Sequence, residues 1–188
     1  PHDFLINWSG HTESAFDVLS NPPGIAWWLA PVADASIFWM HLWMLPWLVL
    51  AVWGAAGLGR TVADKPSISA LLIAGAPISL IATSALTPDL PLLACSLSGV
   101  HLLTRTTRPM DQRWVGALLL GTASLFRYSG VALIVLAPLW PLLHDDRRAA
   151  VKLGLLAATP VSLLFIHDIV AYGQIHMLSM MAFQSTSN

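Results

Sequence analysis

Four side chains in this sequence have types and settings suited to chemistry: Asp3, Asp89, Arg127 and Tyr128. Asp3 and Asp89 are carboxylates at polar or proline-marked positions. Arg127, with Tyr128 beside it, interrupts an otherwise apolar region. A carboxylate next to an acceptor hydroxyl serves as a general base. A guanidinium offers a planar fork of donors that fits phosphate or pyrophosphate oxygens bidentately. Each residue also has a plainer role open to it. Asp89, in Thr87-Pro88-Asp89-Leu90-Pro91-Leu92, is placed as a helix N-cap, bonded to free N–H groups and favoured by the helix dipole. Arg127 on its own would snorkel to the outer headgroups or pair with an acid for assembly. Asp3, beside His2, would be a solvated loop charge. Glu13 and Asp17 lie four apart and would share a helix face, but nothing else singles them out.

The histidines invite a metal or haem hypothesis. His41, His101, His144, His167 and His176 are scattered, however, and no helical segment carries two at ligand spacing. The single Cys95 has no partner for an internal disulfide and no metal-ligand spacing. No cofactor is expected, and a divalent metal is compatible with the sequence but not indicated by it.

The elements that would position these residues are membrane spans. The chain is 56% hydrophobic and 10% charged, with a mean hydropathy of +0.68. Soluble domains carry about 25% charged residues. All but one of the nine basic residues fall in three clusters between long apolar stretches: Arg60/Lys65, Arg105/Arg108/Arg113 and Arg147/Arg148/Lys152. Cytoplasmic loops of multispan proteins carry positive charge in this way. The exception is Arg127, and an intramembrane arginine needs a reason. The net charge of −1 offers no basic surface for nucleic acid.

Residues 1–34 are the most polar part and read as an outer, periplasmic loop. Pro22 and Pro23 forbid a helix through Asn21-Pro22-Pro23-Gly24. The following Ile25-Ala26-Trp27-Trp28-Leu29-Ala30 suits an interfacial helix, because Trp is favoured at the membrane surface. Residues 35–175 read as a transmembrane helical domain of about six spans: 36–59, 66–86, 90–104, 114–126, 131–143 and 153–175. Residues 60–65, 105–113 and 144–152 are the inside loops, 87–89 is an outer turn, and Pro46 should kink the first span. Residues 176–188 read as a truncated outer segment. The chain starts at Pro1 and ends in Ser185–Asn188, so a span before Pro1 and more after Asn188 are expected.

Region 114–143 admits two readings. One long helix would put Arg147, Arg148 and Lys152 outside; two short helices keep them inside, which the charge bias favours. Each short helix is about 13 residues, or ~20 Å long, against a hydrocarbon core of ~30 Å. The Arg127–Gly130 turn is then recessed, and backbone of that kind survives only where it lines a wet cavity or is buried in protein. Asp89 is under the same constraint, being close in sequence to Arg105. An outward-facing cavity holding an acid and a base is expected. Gly116, Gly121 and Gly130 read as helix-packing positions.

The order of motifs resembles a known family. The outer acidic loop with Asn21-Pro22-Pro23-Gly24 and Trp27-Trp28 comes first. Thr87-Pro88-Asp89-Leu90-Pro91-Leu92 follows, and then Gly116-Ala117-Leu118-Leu119-Leu120-Gly121-Thr122-Ala123-Ser124-Leu125-Phe126-Arg127-Tyr128-Ser129-Gly130. This resembles the GT-C glycosyltransferases of the protein O-mannosyltransferase and aminoarabinose transferase type, over most of residues 1–170. The resemblance implies an all-α, polytopic transmembrane bundle with an outer loop bearing an interfacial helix. It also implies an inverting hexosyl or pentosyl transferase in a membrane, with a bacterial inner membrane the expected location. The sugar would move from a polyprenyl-phosphate donor to a glycan, lipid or protein acceptor on the outer face. Carried over, Asp3 is the catalytic base and Asp89 a second active-site acid. Arg127 and Tyr128 contact the donor phosphate, and His2 and His11 join them in binding substrate. His2-Asp3 stands where the family has an acidic pair, and Arg127 where it often has Lys. With spans missing, this piece would be inactive alone. The alternative is a transporter or lipid-handling protein without chemistry, which also uses recessed charges and proline-broken helices. No internal repeat is visible, which favours the transferase. A small structural subunit is a third reading, supported only by length.

Overall fold

The computed structural model describes residues 5–7, 12–14, 16, 19–77, 79, 85–105 and 110–186. The chain opens on a small antiparallel hairpin of β1, Leu5–Asn7, and β2, Thr12–Ser14, with Ile6 opposite Glu13. Glu13 therefore lies on a strand, and the expectation that it shares a helix face with Asp17 fails on the strand side. Asp17 itself, like Asp3, His2 and His11, lies outside the described residues.

Helix α1, Gly24–Leu29, begins directly after the Pro22–Pro23 block and runs into a 3-10 turn at Ala30–Val32. Ser36 is extended, and α2, Ile37–Val62, starts there. Two indoles lock α1 to α2. The Trp28 Nε1–H donates to the Trp43 carbonyl (3.2 Å), and the Trp43 Nε1–H donates to the Trp28 carbonyl (2.9 Å). Then come α3, Pro66–Gly75, and α4, Asp89–Thr104. Helix α5, Met110–Phe126, ends at Arg127, whose extended backbone (φ −146, ψ 141) leads into a 3-10 helix over Tyr128–Val135. The last three helices are α6, Leu136–Leu142, α7, Arg147–Tyr172, and α8, His176–Thr186.

Four boundaries differ from the sequence reading, each for a local reason. The span expected over 66–86 is broken after Gly75, because Ala76 precedes Pro77 and is extended (φ −64, ψ 131), and Pro77 and Ser79 are helical again beyond it. The half expected as a helix over 131–143 is 3-10 to Val135 and α-helical only from Leu136. The inside loop expected over 144–152 ends at Asp146. Its carboxylate accepts the Ala149 amide (3.0 Å) as an N-cap, so Arg147, Arg148 and Lys152 lie on α7. Residues 176–186, which the sequence reading gave only as part of a truncated outer segment, form helix α8.

Helix α4 packs between α2 and α5, α7 packs on the far side of α5, and α3 and α6 flank α2 and α7. Small residues let these backbones meet. A Cβ at Gly54 would lie 2.6 Å from the Ser98 amide nitrogen, and one at Gly116 would lie 2.8 Å from the Gly99 carbonyl oxygen. The Ser98 hydroxyl donates across the α2–α4 seam to the Leu50 carbonyl (2.7 Å). One core gathers Leu103, Ala117, Leu120, Ala137, Leu153 and Ala157; another joins Cys95, Ala123 and Phe126.

The outer faces are apolar as well. Phe38, Trp39 and Val49 on α2, and Leu155, Leu163, Ile166 and Val170 on α7, are exposed. Water-soluble surfaces seldom leave contiguous apolar area of this kind. Helices α2 and α7, with 26 residues each, are long and apolar enough to cross a membrane. At ~1.5 Å rise each is ~39 Å long, against a ~30 Å hydrocarbon core.

Candidate active site

Asp89 and Arg127 meet. The Arg127 Nη1 donates to Asp89 Oδ1 in an ion pair that joins the first residue of α4 to the break after α5. The local backbone explains why both side chains are available. Thr87-Pro88 turns the chain into α4, and Asp89 sits in its first turn, where the dipole favours an acid. Its carboxylate makes no cap bond, so the N-cap reading gives way to the ion pair. Arg127 leaves the helical path while its amide still donates to the Ala123 carbonyl (3.2 Å). Gly130 closes the break: its amide donates to the Arg127 carbonyl (2.9 Å), and a Cβ there would lie 2.5 Å from the Ala123 carbonyl carbon.

The side chains of Arg127 and Asp89 are 42% and 39% exposed. Exposed ion pairs contribute about 0–1 kcal/mol to stability. The pair therefore does little for folding. Its effect is to hold a guanidinium in a fixed direction at an accessible turn, with further N–H donors beyond the one given to Asp89.

The Pro22-Pro23-Gly24 segment is clamped to this turn. Pro22, Pro23 and Gly24 are buried. A Cβ at Gly24 would lie 2.2 Å from the Leu125 carbonyl oxygen and 3.2 Å from the Phe126 ring, so only glycine allows this approach. Phe126 stacks edge-on against Trp47 (5.1 Å), and Trp47 against Trp28 (4.8 Å). Gly24 is thus anchored within two residues of Arg127.

Tyr128 belongs to a second cluster, which the sequence did not reveal as a unit. Its hydroxyl is hydrogen-bonded to His176 Nδ1. The His176 amide donates to Asp168 Oδ2 (3.2 Å), and Asp168 Oδ1 lies 3.3 Å from His167 Nδ1. Asp168 and His176 are 2% and 1% exposed. Phe16, from the outer loop, lies against the rings of Tyr172 (4.6 Å) and His176 (4.7 Å). The chain turns back at Gly173, which ends α7 in the left-handed conformation (φ 73). That turn sets the N-terminus of α8 over Asp168. An acid in the last turn of α7 opposes the dipole of its own helix, and the N-terminus of α8 compensates. In the sequence, neither the acid near the end of α7 nor the glycine three residues before His176 marks this contact by itself.

No group of three or more metal-ligating side chains occurs among the described residues. No protein-family model, curated protein or solved structure matches this chain.

Proposed function

We propose that this protein is a polytopic membrane glycosyltransferase that moves a sugar from a polyprenyl-phosphate donor to an acceptor hydroxyl on the outer face. The observation that carries this reading is the half-exposed Asp89–Arg127 pair, set at a break in the helical backbone and flanked by the clamped Pro22-Pro23-Gly24 segment. Arg127 holds the donor phosphate, and Asp89 fixes the direction of the guanidinium; Tyr128, expected as a second phosphate contact, reaches the donor only by exchanging its hydrogen bond to His176 for one to the phosphate. Asp3 is the base, and His2 and His11 join in binding substrate. The acceptor oxygen attacks the anomeric carbon from the face opposite the phosphate, the C–O bond to the phosphate breaks, and the anomeric centre inverts. The hydroxyl proton goes to Asp3, and polyprenyl phosphate departs. Helices α2 and α7 cross the bilayer, the shorter helices pack between them as further spans, and α1 lies in the interface.

Transfer and donor binding, measured separately, test the assignment of the base. Asp3→Asn keeps the shape of the side chain and removes its basicity, so turnover should fall while donor affinity is nearly kept. Normal transfer in that variant would eliminate Asp3 as the base. Transfer and binding are both measured on the full-length enzyme, where binding of the donor with no transfer by the wild type would favour the lipid-handling alternative.

Orientation has its own test, since the basic clusters should face the cytoplasm. With Cys95→Ala as background, Arg148→Cys should react with an impermeant thiol reagent only after cells are opened. Labelling in intact cells would contradict the two-segment path from Trp114 to Leu143.

A further inference from the structure

The far end of α4 carries a second polar cluster. His101, on its last turn, is buried (5% exposed) between α4 and α2. Its ring fills the space that a side chain at Gly57 would need, with a Cβ there only 2.3 Å from the ring, and Trp53 stacks edge-on at 5.0 Å. Its Nδ1 is buried and has no hydrogen-bond partner among the described residues. Arg60 follows Gly57 by three positions on α2, and Arg105 follows His101 by four at the end of α4. Both arginines therefore emerge just beyond the same seam. Neither makes an ion pair among the described residues, and Asp64, the acid nearest in sequence to Arg60, is exposed.

Two guanidiniums with no carboxylate partner, next to a buried imidazole nitrogen with none, form a site that lacks its anion. We propose that Arg60, Arg105 and His101 bind a phosphate group at the end of the α2–α4 seam away from Asp89 and Arg127. Guanidinium forks match phosphate oxygens, and basic pockets between helices at the cytoplasmic surface hold anionic headgroups. The phosphate belongs either to an anionic phospholipid or to a soluble phosphate. The site is independent of the transferase reading.

Native mass spectrometry of the full protein in detergent distinguishes the sources. It would be titrated separately with phosphatidylglycerol, phosphatidylcholine and inorganic phosphate. Preference for phosphatidylglycerol over phosphatidylcholine identifies a lipid; binding of inorganic phosphate alone identifies a soluble ligand. Arg60→Gln with Arg105→Gln should weaken binding about 30-fold, from about fivefold per arginine. His101→Phe keeps an aromatic ring in the seam, somewhat larger than imidazole, and should weaken it about tenfold through loss of one charge-assisted hydrogen bond, with thermal unfolding checking that the fold is kept. Arg147→Gln with Arg148→Gln removes the same charge from α7 and should leave binding unchanged. Equal affinity for both lipids with no phosphate bound would overturn the site. So would a loss of binding in the α7 variant as large as in the α2–α4 variant, or full binding in both His101→Phe and the double arginine variant.

Discussion

Arg127→Lys is expected to weaken binding of polyprenyl phosphate about ten- to a hundredfold while the protein stays folded. Lysine keeps the charge and can still meet Asp89, but a point charge cannot make the two parallel contacts of a guanidinium to a phosphate. The loss corresponds to one charge-assisted hydrogen bond, roughly 1.5–3 kcal/mol. Folding should be little affected, because the pair is about 40% exposed on both sides and such pairs contribute at most about 1 kcal/mol. Asp89→Asn should act in the same direction through orientation: the guanidinium keeps its charge and loses its anchor. Exchanging the two charges, Asp89→Arg with Arg127→Asp, should restore the ion pair without restoring donor binding, because the guanidinium then leaves from α4. Binding of polyprenyl phosphate by fluorescence quenching or calorimetry in detergent reads all four proteins. Unchanged affinity in both Arg127→Lys and Arg127→Ala would return Arg127 to a structural arginine and leave the donor site to be found elsewhere.

That Asp89 and Arg127 belong to one place was legible, because each sits at a break in an apolar run close in sequence to a basic cluster. The ion pair itself was not: the sequence reading put both in one outward cavity, and the direct contact depends on how the start of α4 faces the break after α5. The ends of the helices were less legible. Ala76 before Pro77 stops α3, and a single pre-proline residue decides it. Asp146 caps α7 ahead of Arg147, so a basic cluster that reads as a loop is the first turns of a helix. Hydropathy averages over a window and misses both events, whereas caps and prolines act at one residue.

The partnership of Tyr128 with His176 and Asp168 was beyond sequence reasoning for a different reason. Tyr128 and His176 are 48 residues apart, and their contact depends on how α7 packs on α5 and on the direction in which Gly173 sends the chain. Neither has a local signature. The same holds for Gly57, whose missing side chain makes room for the His101 ring. A glycine in an apolar helix reads as a packing position, but the group it accommodates is set by the neighbouring helix.

Gly121→Leu should be the most damaging single substitution for stability among the glycines of α5. A Cβ at Gly121 would lie 2.1 Å from the Ala157 carbonyl oxygen, 3.0 Å from its carbonyl carbon and 2.9 Å from Pro160 Cδ. Two of these atoms are backbone and the third belongs to a rigid ring, so no side chain can move aside. Helices α5 and α7 would have to separate along the contact that also buries Ala117, Leu120, Leu153 and Ala157. Overpacking of this kind costs roughly 1–3 kcal/mol and more where backbone must move. Leucine is a better helix former than glycine by about 0.5–1 kcal/mol, so a loss of stability cannot come from propensity. Gly75→Ala supplies the contrast: it lies at the end of α3 with nothing within 4 Å of a new Cβ, and it should be neutral or slightly stabilising. Thermal unfolding of the three proteins in one detergent reads the difference. A Gly121→Leu protein as stable as wild type would mean that α5 and α7 do not meet at Gly121, and that the frame holding the Arg127 turn in place is built differently.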